Sequence, residues 1–77
     1  MLRYKDGEGI IFKGKTHAAV VRQMRNSAWV TTPKRQYMRE VAVRLRMLGT
    51  REVETGNSKD FLTSLVTTGW LRKLRGN

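Results

Sequence analysis

Residues 2–13 read LRYKDGEGIIFK, two short apolar/polar stretches on either side of Asp6-Gly7-Glu8-Gly9. An Asp-Gly pair between strand-like runs is typical of a β-hairpin, because both residue types tolerate the positive φ angles of a tight turn. The pattern predicts an N-terminal hairpin with strands at Leu2 to Lys5 and Ile10 to Lys13. The fold is therefore expected to begin with antiparallel β-structure.

Two helices are predicted to follow the hairpin. The first runs from His17 to about Ala28, with Thr16 as its N-cap. The second runs from Pro33 to about Leu48, because the Thr32 hydroxyl precedes a proline at the first helical position. Gly49 is expected to end it. Apolar residues recur along the second helix at helical spacing and are expected to form its buried stripe: Tyr37, Met38, Val41, Leu45 and Leu48.

The C-terminal third predicts a strand, a third helix and a last strand. Arg51 to Thr55 is interpreted as a short strand, and Ser58 as the cap of a helix from Lys59 to about Thr68 that Gly69 ends. Trp70 to Leu74 is then a final strand, paired with Arg51 to Thr55. The order β-β-α-α-β-α-β predicts an α+β fold, with three helices packed on a small antiparallel sheet.

Length and composition predict one small basic domain, residues 1–77, in a reducing compartment. A chain of 77 residues has room for a single hydrophobic core. Cysteine is absent, which excludes disulfides and thiolate metal sites and favours the cytoplasm. We find no signal-peptide pattern and no apolar run of membrane-spanning length, so no membrane contact is expected.

The charge balance is the strongest compositional signal. Sixteen Lys and Arg against six Asp and Glu give a formal net charge of +10. Such a surplus attracts polyanions, and nucleic acid is the commonest of these because neutralised phosphates release condensed counterions. The alternative is a basic surface with no specific partner.

The second helix carries the best candidate binding residues. Arg35, Arg39 and Arg46 lie along one stripe, about 16 Å long at a rise of about 1.5 Å per residue. Such a stripe could follow a phosphate track or enter a major groove. Simple solubility explains the same stripe equally well. Four further cations are predicted to anchor the nucleic-acid backbone at the flanks: Arg22, Arg25, Lys13 and Lys15.

Residues 9–16 also match the formula of a phosphate-binding loop, glycine, four residues and then Gly-Lys-Thr. Such a loop needs small residues and a parallel sheet with crossover helices. Ile10, Ile11 and Phe12 are bulky strand formers expected in a core, and the chain is too short for that sheet. A chance match is the better interpretation, although Lys15 and the amides after Thr16 could hold one backbone phosphate.

Catalytic and metal chemistry have little support. His17 is the single histidine, and a half-buried structural role is expected for it rather than a metal site. Glu52 and Glu54 alternate along the predicted strand and more simply pair with nearby arginines than perform acid–base work. We therefore expect no enzyme activity, no cofactor and no metal.

The layout resembles that of small uncharacterised proteins of prophages and conjugative elements. The resemblance runs through Gly9 to Gly14, Ala18 to Trp29, the arginine-rich helix, and Phe61-Leu62 to Trp70-Leu71. It implies a similar compact α+β fold and a mobile-element setting, and it implies no activity or site residue.

Three functions remain open. The first is a nucleic-acid-binding accessory or regulatory protein, with DNA favoured, that uses the second helix on the phosphate backbone. The second is a non-enzymatic protein-interaction module that docks on an acidic partner, which an exposed Trp29 or Trp70 would favour. The third is RNA binding. Oligomeric state is left open.

Overall fold

The computed structural model describes residues 1–28, 32–49 and 52–74. Within these residues the chain forms three helices and a three-stranded antiparallel sheet, which confirms the predicted α+β class. The elements follow in chain order: β1 (Leu2–Asp6), β2 (Ile11–Gly14), α1 (His17–Ser27), α2 (Lys34–Met47), α3 (Ser58–Thr68) and β3 (Leu71–Leu74).

The predicted hairpin is confirmed. Tyr4 pairs with Phe12 across β1 and β2, and the turn between the strands is held by the Asp6 carboxylate. One oxygen of that carboxylate accepts the backbone N–H groups of Glu8 and Ile10, each at 2.9 Å. Gly9 has a φ of 89°, a conformation that glycine adopts without steric cost.

The partner of the last strand differs from the prediction. β3 pairs with β1, so the sheet order is β2-β1-β3. Glu52 to Thr55 form no regular secondary structure, and Arg51 lies outside the described residues. The backbone N–H of Glu54 instead donates to the Ser64 hydroxyl on α3 at 3.1 Å. The described residues therefore contain no strand between α2 and α3, and their elements run β-β-α-α-α-β. β3 pairs with the edge of β1 opposite β2.

The helix ends confirm some predicted caps and correct others. Thr16 caps α1 by accepting the Ala19 N–H at 3.1 Å, as predicted. α2 begins after Pro33 with no side-chain cap, so the predicted Thr32 cap is wrong. Asn57 caps α3 by accepting the Asp60 N–H at 2.8 Å, whereas Ser58 is already the first helical residue and is buried. Gly69, at a φ of 84°, ends α3 as predicted.

The core lies between the helices and one face of the sheet. α1 packs on β2 and α3 packs on β3, while α2 packs mainly on α1. Four of the five predicted α2 stripe residues are buried, but Leu48 is 74% exposed because it lies beyond the last helical residue. The buried residues of the sheet and of the two helices against it are Tyr4, Phe12, Leu71, Val20, Val21, Met24, Phe61, Leu62 and Leu65.

A close approach of backbone to backbone joins the hairpin to α1. A Cβ atom at Gly14 would lie 2.8 Å from the Ala19 Cβ and 2.9 Å from the Val20 nitrogen. Glycine is therefore the residue that lets β2 run directly into the first turn of α1. Among residues 1–28, 32–49 and 52–74, no helix is long and apolar enough to cross a membrane.

Candidate nucleic-acid interface

The helix stripe predicted from the sequence, Arg35, Arg39 and Arg46, lies on α2. All three side chains are exposed, and half-buried Ala42 lies between Arg39 and Arg46 along the helix. Residues at these spacings share one face of a helix. The stripe is thus available to a partner.

A carboxylate lies beside the helix stripe. Arg39 and Arg46 line a cavity of about 280 Å³ together with Glu52 and the buried Val53. A negative charge beside the same cavity reduces the positive potential that Arg39 and Arg46 present to an anion. The sequence pattern did not indicate this neighbour, because it placed Glu52 on a predicted strand paired with the last strand of the chain.

The predicted flanking cations occupy different surroundings. Arg22 on α1 and Lys15 before α1 are exposed. Arg25 is half-buried, and its guanidinium donates to the Thr32 carbonyl and to the Asn26 side-chain oxygen, both at 3.3 Å. The bond to Thr32 connects the end of α1 to the segment before α2, so Arg25 has a structural role.

Lys13 lies on the sheet rather than beside the helix stripe. It pairs directly with Arg3 across β2 and β1, and both side chains are exposed. The Lys13 backbone N–H donates to the side-chain oxygen of Gln23 on α1. This bond satisfies a donor on an edge strand and blunts that edge against pairing with another chain.

The structure reveals a basic surface that the sequence analysis did not assign. Residues on one face of a strand alternate with those on the other, and Tyr4, Phe12 and Leu71 point to the core. The opposite face of the sheet, here called the outer sheet face, is formed by Arg3, Lys5, Ile11, Lys13, Arg72 and Leu74. Four of these six residues are cations and none is an acid.

Two like-charge pairs face each other on the outer sheet face. Arg3 is opposite Lys13, and Lys5 is opposite Arg72. Directly opposed like charges destabilise an antiparallel sheet, by roughly 0.2–1 kcal/mol per pair. A small sheet that carries two such pairs departs from the pattern expected for stability alone, and such departures are typical of functional surfaces.

Several of the acids are engaged elsewhere in the chain. The Asp6 carboxylate accepts the backbone N–H groups of the hairpin turn, and Asp6 lies on the inner face of β1. At the start of α3, the Asp60 carboxylate accepts from the Asn57 side chain at 2.9 Å. Glu40 accepts from Gln36 at 3.4 Å on α2. These partners are uncharged, and none of the three acids is a member of the outer sheet face.

The phosphate-loop match has no structural basis. Such loops sit on parallel sheets, whereas the strands here are antiparallel. Ile10 and Ile11 are 42% and 52% exposed, so the expectation that both lie in the core is wrong, and Phe12 alone of the three is buried. Ile11 instead belongs to the outer sheet face.

The titration behaviour of the two tyrosines reflects the core rather than a reaction. Burial raises the pKa of Tyr4. Burial also raises the pKa of Tyr37, an effect that the nearby Arg44 cation opposes in part. Among residues 1–28, 32–49 and 52–74, no cluster of three His, Cys, Asp or Glu could hold a metal ion.

Comparison of the chain with protein-family models, curated proteins and solved structures returns no match. The resemblance to proteins of prophages and conjugative elements therefore stays a prediction.

Part of the outer sheet face was visible in the sequence. Arg3 and Lys5 alternate with Leu2 and Tyr4, which is the signal of a strand with one basic side. Arg72 could not be added to them, because it reaches this surface only through the pairing of β3 with β1.

Proposed function

We propose that this protein is a nucleic-acid-binding accessory or regulatory protein of the cytoplasm, with DNA as its favoured partner. The observation that carries the proposal is the outer sheet face, where four exposed cations lie within two strand spacings and no carboxylate accompanies them. Phosphate binding by such a cluster releases counterions, and this release supplies most of the affinity of nonspecific nucleic-acid binding.

The helix stripe is the rival contact surface for the same function. Its three arginines are exposed, but Glu52 shares the cavity beside Arg39 and Arg46. The helices cover the inner face of the sheet, so the stripe and the outer sheet face are separate surfaces. Because none of its six residues is an acid, the outer sheet face is the better candidate for the surface that contacts nucleic acid.

The test compares two variants that lose the same charge. Lys13→Gln with Arg72→Gln removes two cations from the outer sheet face, and Arg35→Gln with Arg39→Gln removes two from the helix stripe. Binding to a labelled 20-base-pair duplex is measured by fluorescence anisotropy at several salt concentrations. We expect the sheet variant to weaken binding more, and to lower the slope of log K against log salt by about 2.

Each outcome has a distinct meaning. A wild-type protein that does not bind duplex DNA, single-stranded DNA or RNA near physiological salt would overturn the proposed function. A larger loss in the helix variant would keep the function and move the contact to α2. Circular dichroism of both variants checks that the substitutions leave the fold intact.

A second candidate function, docking on an acidic protein, is favoured by an apolar strip on α2. Val43 and Met47 are 58% and 82% exposed and lie one helical turn apart. Arg39, Arg44 and Glu40 line the same cavity as these two side chains, so two cations and one acid border the apolar strip. An apolar strip with cations at its sides suits an amphipathic helix whose flanks are acidic. Trp70, at 36% exposed, lies at the edge of a different cavity, and Trp29 lies outside the described residues.

Site-specific photo-crosslinking separates the two candidate functions. A photo-reactive amino acid at position 47 probes the apolar strip, and the same residue at position 11 probes the outer sheet face. A nucleic-acid adduct at position 11, with no protein adduct at position 47, supports nucleic-acid binding. One reproducible protein adduct at position 47, whose crosslinked segment is acidic, supports docking.

A further inference from the structure

We propose that the outer sheet face enters the major groove of duplex DNA, with β1 over the base edges and β2 and β3 along the two phosphate backbones. The inference rests on the proposed function and names the form of nucleic acid and the groove that this surface fits. The basis for the major-groove assignment is the position of each of the four cations on the three strands.

The dimensions of the sheet match the groove. Neighbouring strands lie about 4.8 Å apart, so the axes of β2 and β3 are about 10 Å apart across β1. The major groove of B-form DNA is about 12 Å wide and admits an α-helix or a two-stranded β-ribbon, and some β-sheet proteins place strands in it. A sheet of this width can face the groove with its side chains pointing inward.

The cations divide between the centre and the two edges of the sheet. Arg3 and Lys5 lie on β1, the central strand, whereas Lys13 lies on β2 and Arg72 on β3. A sheet aligned with the groove therefore places one cation against each phosphate backbone. In the same orientation Arg3 and Lys5 point at the base edges in the groove. Arginine and lysine are the usual donors to the O6 and N7 acceptors of guanine there.

The two apolar members of the face also suit this groove. Ile11 lies beside Lys5, and Leu74 lies beside Arg3. Ile11 is 52% exposed although it sits on a strand of a small protein that needs apolar burial. The methyl group of thymine, which projects into the major groove, is an apolar partner for such a side chain.

Other nucleic-acid forms fit the face less well. Single strands are held by aromatic side chains that stack on bases, and none of the six residues of the outer sheet face is aromatic. The major groove of A-form RNA is too narrow and deep for side chains to read. Duplex DNA is the form whose accessible groove matches a flat, non-aromatic basic sheet.

The test fills the major groove without changing the phosphates. The full chain is titrated against a labelled 20-base-pair DNA duplex, against the same duplex with glucosylated hydroxymethylcytosine in place of cytosine, and against duplex RNA of the same sequence. We expect the sugar groups in the major groove to weaken binding by about tenfold or more. Netropsin in the minor groove should change the affinity by less than about twofold, because the predicted contacts lie in the other groove.

Two variants of equal charge test the division of roles. Lys13→Gln with Arg72→Gln should lower the salt slope by about 2 while the preference for unmodified DNA is retained. Arg3→Gln with Lys5→Gln should reduce that preference for open-groove DNA by about tenfold or more, since base-edge contacts carry it.

Equal affinity for the unmodified duplex and for the duplex with glucosylated hydroxymethylcytosine would overturn the major-groove assignment. If binding then still fell with salt and with loss of the sheet cations, the proposed function would stand and only the groove would be wrong. Equal or tighter binding of duplex RNA would also overturn the assignment. Absence of binding to every form would overturn the proposed function itself.

Discussion

Lys5 and Arg72 lie directly opposite each other on β1 and β3, and both side chains are exposed on the outer sheet face. Two cations in this relationship repel each other in the free protein. A nucleic acid bound on this face, with a phosphate backbone beside Arg72, reduces that repulsion and releases counterions. The same pair therefore lowers stability and raises affinity for a polyanion.

This relationship predicts that stability and binding respond in opposite directions. Arg72→Glu should raise the free energy of unfolding by roughly 0.2–1 kcal/mol, because an opposite charge then faces Lys5. The same substitution should weaken DNA binding and flatten its salt dependence. Urea unfolding and fluorescence anisotropy measure the two effects.

Lys73→Glu is the matched control, since it makes the same change of charge one residue along β3, opposite Tyr4 rather than a cation. It should leave the unfolding free energy within about 0.5 kcal/mol of the wild type, as for most surface substitutions. A loss of stability in Arg72→Glu, or the same gain in both variants, would contradict the role of the pair.

Gly14→Ala should destabilise the fold, because its new methyl group would overlap Ala19 and Val20 at less than 3 Å. Overpacking of this kind typically costs about 1–3 kcal/mol. Urea unfolding measures the change, and Gly7→Ala serves as the control because a Cβ there meets nothing within 4 Å. Equal stability of the two variants would show that β2 and α1 can separate without cost.

Asn57→Ala should weaken α3 through loss of its N-cap. The Asn57 side chain accepts the Asp60 N–H and donates to the Asp60 carboxylate, and removal of a cap typically costs about 0.5–2 kcal/mol. Lys59→Ala, an exposed change in the same turn, is the control. If Ser58→Ala caused the larger helix loss by circular dichroism, the sequence-based cap would be the right one.

Alkaline pH should unfold the protein through its buried tyrosines. The pKa of Tyr4 and that of Tyr37 lie above the ordinary value of 10.0 in the folded state. Stability should therefore be constant below about pH 10 and fall as the pH rises further, since the unfolded chain releases these protons more readily.

Tyrosinate absorbance and urea unfolding measured together between pH 8 and 12 check this expectation. Tyr4→Phe removes one of the two ionisations and should make the fall in stability shallower. The prediction fails if both tyrosines ionise at their ordinary pKa in the folded protein without loss of structure.

Local signals in the sequence were sufficient for most elements. The N-terminal hairpin, the Thr16 cap and the Gly69 helix end depend on neighbouring residues alone, and the structure confirms all three. The positive φ of the hairpin turn lies at Gly9, however, and not at the Asp6-Gly7 pair. The Ser58 cap was wrong because Asn57 and Ser58 can each hold a cap position, and the Thr32 cap was wrong because α2 begins after Pro33 with no side-chain cap. In both cases the helix register, which depends on core packing, placed the cap one residue away from the predicted position.

Composition and periodicity therefore establish a small basic α+β domain, since charge is a sum over residues and strand or helix periodicity is a local property. Strand pairing is different, because the hydrogen bonds of β3 join residues that are about seventy positions apart in the chain. Only that long-range pairing brings Arg72 beside Lys5. Tertiary packing likewise places Glu52 beside the same cavity as Arg39 and Arg46 of the helix stripe. The charge was readable from the sequence, whereas its concentration on one face of the sheet is a consequence of tertiary packing.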